Sequence, residues 1–180
     1  MIALEPLRGL PEIRPGDDLA ALLAGCGTEL LAGDVLVIAH KVVSKAEGRV
    51  VRLADVTPSP RALELAAAHG KDPRAVEVIL SEATEIVRAD AGRLICRTRH
   101  GFVCANAGVD ASNTGGPDTL VLLPLDPDAS ARALRERLGC AGLAPLRDYR
   151  GEPDADGREM RASVIAIADE AAAAADLARG

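Results

Sequence analysis

Residues 33–48 read Gly33-Asp34-Val35-Leu36-Val37-Ile38-Ala39-His40-Lys41-Val42-Val43-Ser44-Lys45-Ala46-Glu47-Gly48. The Gly-Asp pair is a turn signal, and the apolar, largely β-branched run Val35 to Ala39 after it has no polar alternation, the pattern of a strand buried on both faces. Val42-Val43 and Val50-Val51 flank the polar stretch Ser44 to Gly48. This predicts that the chain continues as strand, polar turn, strand.

Working outward, Ile2 and Leu4 alternate with smaller residues before Pro6, which suits a short opening strand. Gly9-Leu10-Pro11-Glu12 reads as a loop, and Asp17 or Asp18 is placed to cap a helix over Leu19 to Ala24. Towards the C-terminus, Pro58-Ser59-Pro60 opens an alanine-rich helix carrying Leu63 and Leu65, with His69 in its last turn and Gly70 closing it. Asp72-Pro73 has the form of an N-cap followed by an N1 proline, opening a helix with Val76, Ile79 and Leu80 on its inner face. Ile86-Val87, Leu94-Ile95-Cys96 and Phe102-Val103-Cys104 are short apolar runs separated by turns, which predicts a meander. Val121-Leu122-Leu123 is a further strand ended by Pro124, and Asp126 caps a helix over Ala129 to Leu138. A last Ala-rich helix is expected from Ser163 to Ala178. The whole predicts an α+β fold, a mixed or antiparallel sheet with flanking helices, in one unit that leaves room for a subsidiary lobe.

With 180 residues the chain is long enough to bury a sizeable core. Lys and Arg number 21 against 27 Asp and Glu, a formal charge of −6, so the basic excess that binding to a phosphate backbone needs is missing and nucleic acid is not an expected partner. There is no Trp, one Tyr (Tyr149) and one Phe (Phe102), so the core is aliphatic and stacking on bases is almost unavailable. Cys26, Cys96, Cys104 and Cys140 are scattered without zinc-ligand spacing and read as reduced, mostly buried thiols. No basic region followed by an apolar run opens the chain, and no window approaches the ~20 apolar residues of a membrane span. A cytoplasmic protein away from membranes is expected.

Three stretches hold residues suited to chemistry. In Thr98 to Asn113, a carboxylate and two amides lie among small residues; Gly108 permits close approach of a ligand and Asp110 suits a hard cation, so a metal–phosphate site is reasonable. The alternative is that Asp110 and Asn113 make Asx turns. Just beyond the first strand, Lys45 could neutralise a phosphate and His40 could donate a hydrogen bond to one; the alternative is a solvated lysine-rich turn. The Leu10-Pro11-Glu12-Ile13 loop could bind a base or ribose through its backbone, or be an ordinary loop. Neither a Walker A loop nor GxGxxG is present. No nucleophile or general base can be assigned from three histidines, so the catalytic residues are left unassigned.

Taken together, GLPEIRPGDDLA (9–20), GDVLVIAHKVVSKAEGRVV (33–51), KDPRAVEVILSEATEIVR (71–88), RTRHGFVCANAGVDASN (97–113), LLPLDPDASA (122–131) and AGLAPLRDYRGEPDADGRE (141–159) closely resemble the coenzyme F-420 gamma-glutamyl ligases. The similarity covers nearly all of the chain, in the same order, and implies that residues 1–180 form a single gamma-glutamyl ligase domain. It implies a GTP-dependent ligase that uses Mg²⁺ or Mn²⁺ to join L-glutamate to a lactyl-phospho-deazaflavin precursor through an acyl phosphate. It also implies that Leu10, Pro11, Glu12, Ile13, His40, Lys45 and Asn113 contact GTP, that Asp110 binds metal, and that the fold forms an intertwined homodimer. One departure stands out. Between Leu138 and Gly139 the family has a strand and a Ser-Asp-Thr-Phe-Gly-Arg-Pro-Trp-Arg motif whose Asp and Thr supply further metal ligands, and relatives continue beyond the position of Gly180. A non-catalytic homologue that binds nucleotide or deazaflavin is therefore the alternative expectation.

Overall fold

The computed structural model describes residues 6–27, 30, 35–90, 92–112, 114, 116, 118–139 and 142–143. In chain order the elements are α1 (Leu19–Ala24), β1 (Val35–Leu36), α2 (His40–Ala46), β2 (Val50–Arg52), α3 (Pro60–His69), α4 (Pro73–Glu82), β3 (Ala83–Asp90), β4 (Arg93–Thr98), β5 (Val103–Ala105), β6 (Thr119–Val121), α5 (Pro127–Leu138) and β7 (Gly142–Leu143). The fold is α+β. Two compact units share the chain: one is the continuous stretch Gly48–Leu123, and the other combines the residues up to Glu47 with those from Pro124 onward.

In the discontinuous unit, β1 pairs in parallel with β7, and the core gathers Ile13, Leu19, Leu23, Leu36, Ile38, Val43, Ala131 and Leu134. Asp18 caps α1 by accepting the Ala21 N–H at 3.1 Å, and pairs with Arg137 of α5 at 2.7 Å. That guanidinium is the main reason the Asp18 carboxyl titrates below its ordinary range. At the other end of α5, Gly139 stops the helix in the left-handed conformation (φ 68°), its N–H donating to Arg135 O at 3.0 Å.

The continuous unit holds two antiparallel sheets. β2 lies against β6, Val50 facing Val121, and β3, β4 and β5 form the meander, β3 carrying two irregularities in its pairing with β4. Helices α3 and α4 cover an aliphatic core that includes Ala62, Val76, Ile79, Leu94 and Cys96. Both helices start as their caps dictate: Ser59 Oγ accepts the Ala62 N–H and Asp72 accepts the Arg74 N–H, each ahead of a proline in the first turn.

Several expectations change. The segment after the first strand is the helix α2, not a second strand: His40, Val43 and Ser44 are buried at i, i+3 and i+4, and burial of that face outweighs the β preference of Val42-Val43. The strand itself is shorter than expected. Among the described residues only Val35–Leu36 pair, and Val37 is 45% exposed between buried Leu36 and Ile38, so one face is buried rather than two. Pairing in β6 covers Thr119–Val121, while Leu122 extends it by donating its N–H to Arg49 O. Of the cysteines described, only Cys96 is buried; Cys26 and Cys104 are half-buried. The expected opening strand at Ile2 to Leu4, the helix Ser163 to Ala178 and Cys140 lie outside the described residues.

Candidate functional site

Within the discontinuous unit, the loop Leu10–Ile13 and helix α2 meet. Ile13 is buried in the core and anchors the loop. Its far end is fixed by the Arg14 N–H donating to Asp17 Oδ2 at 2.7 Å and the Gly16 N–H donating to Ala46 O at 2.9 Å. Immediately before these anchors Glu12 accepts a hydrogen bond from Lys45 Nζ at 2.5 Å. The two partners differ in exposure: the Lys45 side chain is 8% exposed and that of Glu12 58%. Lys45 is therefore no solvated surface lysine. It lies in the last turn of α2, where the helix dipole favours a cation, and its ammonium is withdrawn from water, where an anion is held more strongly than at the surface.

His40 starts α2 and is buried, and Ser44, one turn on, is fully buried with an Oγ that has no hydrogen-bond partner. The helix is closed by Glu47, whose carboxylate accepts a hydrogen bond from the Ser130 hydroxyl of α5. Of the residues that the sequence assigned to nucleotide, the structure thus joins Glu12 directly to Lys45 and places His40 on the same helix. Asn113 lies outside the described residues.

Asp110 belongs to the continuous unit. Its backbone exchanges hydrogen bonds with Val121, N–H to O at 3.0 Å and the reverse at 2.8 Å, and its Oδ1 accepts the Ser112 N–H at 2.6 Å. The carboxylate therefore does form an Asx turn. Just ahead of it runs a left-handed stretch: Asn106 (φ 52°), Ala107 (φ 53°) and Gly108 (φ 76°). For Asn106 and Ala107 this conformation costs free energy, about 1–2 kcal/mol for a residue with a β-carbon. Asn106 Oδ1 is buried without a partner. At Gly108 a β-carbon would come within 2.7 Å of Leu123 Cγ and Cδ1, so glycine is required there by contact as well as by conformation.

The same unit contains an ionic cluster that the sequence does not announce. Glu82, at the end of α4, is 6% exposed. It accepts from Arg49 Nη2 at 2.7 Å and from Arg99 Nη2 at 2.9 Å, while Arg49 Nε donates to Leu123 O at 2.9 Å. One signal was present: Glu82 stands three residues after Ile79 and six after Val76, on the face of α4 that is buried.

The described residues do not by themselves complete a site for a divalent cation. Among the described residues no three His, Cys, Asp or Glu side chains come together as a possible metal site, and one carboxylate already engaged in an Asx turn falls short of the six or more oxygens such ions take. Nor is any helix among these residues long and apolar enough to cross a membrane.

Comparison with known proteins gives a consistent answer. Residues 9–139 and 137–180 match the family described as F420-0:Gamma-glutamyl ligase. A protein of Methanopyrus kandleri named Coenzyme F420:L-glutamate ligase is 44% identical over 208 residues, covering 99% of this chain and 82% of the relative. A protein of the same name from Methanothermobacter thermautotrophicus is 42% identical, covering 99% and 84%, and one from Halobacterium salinarum is 45% identical, covering 96% and 79%. Likeness of this depth over nearly every residue, including the loop, α2 and the strained turn before Asp110, leaves one assignment: the chain belongs to the F420-0:gamma-glutamyl ligase family.

Proposed function

We propose that the protein is a ligase of coenzyme F420 biosynthesis that joins L-glutamate to the lactyl-phospho-deazaflavin precursor, with GTP as the energy source. The observation that carries this reading is the match across 99% of the chain to a relative named Coenzyme F420:L-glutamate ligase. The geometry of the discontinuous unit supports the nucleotide part. Lys45 holds its charge away from water against the anchored loop Leu10–Ile13, an arrangement suited to the phosphates of a nucleotide, with His40 on the same helix. Asn113 is assigned to the same nucleotide.

In this reaction an oxygen of the acceptor carboxylate attacks the γ-phosphorus of GTP and GDP leaves, giving an acyl phosphate. The glutamate amine then attacks the carbonyl carbon, inorganic phosphate departs, and the amine proton passes to solvent or a base. Lys45 would stabilise the charge that develops on the phosphate oxygens. Mg²⁺ or Mn²⁺, with Asp110 as a ligand, belongs to the same reading, but the described residues do not complete its site and no step is drawn through it. A cytoplasmic, intertwined homodimer completes the proposal.

A second reading, a homologue that binds nucleotide or deazaflavin without turnover, is favoured by the family's metal-binding motif, which this sequence lacks between Leu138 and Gly139. In support, the family match falls into two stretches that meet at residues 137–139, and the alignment with the first relative, 208 residues, exceeds the 180 of the chain. These are the expected signs of a segment carried by relatives between Leu138 and Gly139. The deciding experiment incubates the protein with GTP, Mg²⁺ or Mn²⁺, glutamate and the deazaflavin acceptor. The ligase forms GDP and glutamylated acceptor in equal amounts, and only with all components present. Binding of GTP with no product supports the second reading, and GDP release independent of acceptor refutes the first.

A further inference from the structure

We infer that Glu12 is the resident counter-ion of Lys45, occupying the place of a nucleotide phosphate and exchanging with it when nucleotide binds. The inference rests on the nucleotide reading above and deepens it. An ammonium with an 8% exposed side chain requires a partner, and among the described residues Glu12 is the one it has. Lysine carries three donors, so the pair leaves the ammonium able to donate to further anionic oxygens. The carboxylate, in contrast, loses little by moving: its side chain is 58% exposed, and the anchors of its loop, at Ile13 and Gly16, follow Glu12 in the chain rather than hold it directly. A polyphosphate offers more negative charge than one carboxylate and prevails in the competition, while Glu12 returns to water at small cost. Before binding, Glu12 holds the Lys45 side chain in place. It is therefore a positioning residue whose own charge opposes the ligand.

A role of this kind differs in sign from a simple contact. If Glu12 merely supported the loop or touched the ligand, its loss would weaken binding; as a competitor, its neutralisation strengthens it. The test is calorimetric titration of the full chain with GTP, comparing the wild type with Glu12→Gln and Glu12→Asp, each first shown to be folded by circular dichroism. Glu12→Gln keeps shape and hydrogen-bonding capacity while removing the charge, and is expected to lower the GTP Kd by about fivefold to tenfold. Glu12→Asp, which retains the charge on a shorter arm, is expected to fall between the two and serves if the Gln variant does not fold. Unchanged or weaker GTP binding by both variants, with the wild type binding normally, overturns the exchange and leaves the nucleotide reading intact. Absence of GTP binding by wild type and variants alike overturns the nucleotide reading and the exchange with it.

Discussion

Replacing Gly108 by Ala tests the turn that leads into Asp110. Two penalties act together. A β-carbon at φ 76° incurs the left-handed cost, about 1–2 kcal/mol. The new methyl also lies 2.7 Å from Leu123 Cγ and Cδ1, and Leu123 is 7% exposed and cannot swing into solvent, which adds about 1–3 kcal/mol of overpacking. Against these, Ala lowers the entropy of the unfolded chain relative to Gly by about 0.4–1 kcal/mol. The net expectation is a loss of about 2–4 kcal/mol, read as a fall in the urea midpoint with unchanged slope. Gly101→Ala is the control: its φ is 85°, yet nothing lies within 4 Å of the added carbon, so only the conformational term remains. The difference between the two variants isolates the clash. Adding Leu123→Ala to Gly108→Ala should return about 1–3 kcal/mol relative to additivity, because the shortened side chain makes room. Equal losses for Gly108→Ala and Gly101→Ala, or strict additivity in the double variant, would refute the reasoning.

Three further outcomes follow from the packing. Glu82→Ala leaves Arg49 and Arg99 facing each other without their shared carboxylate, and a loss of about 3–5 kcal/mol is expected in the same denaturation assay. Asp72 is held below its ordinary carboxylate range, first by the Arg74 side chain and then by the backbone N–H it accepts. With its pKa depressed on folding, its contribution is complete above about pH 5 and is lost as pH falls through 4 and lower; Asp72→Ala should cost about 1 kcal/mol at pH 7 and progressively less in acid. Burial raises the pKa of the Cys96 thiol, so mass spectrometry after iodoacetamide treatment at pH 7 should find Cys96 unmodified in the folded protein and modified in urea.

Local chemistry was easiest to read in advance. The helix starts at Pro58-Ser59-Pro60, Asp72-Pro73 and Asp126-Pro127, and the glycine that ends α3, sit where the sequence placed them, because a cap acts over three or four residues. The meander was legible for the same reason. Segment 40–46 was not: Val42-Val43 favours a strand locally, and only its packing around Val43 and Ser44 makes it a helix. In the candidate site, Lys45 and Glu12 were named as separate candidates, but their contact spans 33 residues of sequence and no short-range pattern encodes it. A charged residue can also conceal burial: Glu82 looks like a surface residue until the fold buries it against Arg49 and the more exposed Arg99.

The pairing of β2 with β6 has a topological consequence. Val50 faces Val121, and the Leu122 N–H reaches Arg49 O at 3.0 Å, so the stretch Gly48–Leu123 leaves the chain and rejoins it through two neighbouring strands. Such a stretch is a cassette with adjacent ends. It can be excised at the level of the gene and produced alone, or its ends joined by a short turn and new termini opened elsewhere, at little cost in loop-closure entropy. The other unit has no such freedom, since β1 and β7, the two halves of its parallel pair, lie on opposite sides of the cassette in the sequence. A ribosome must therefore synthesise the cassette in full before its host can close its own sheet.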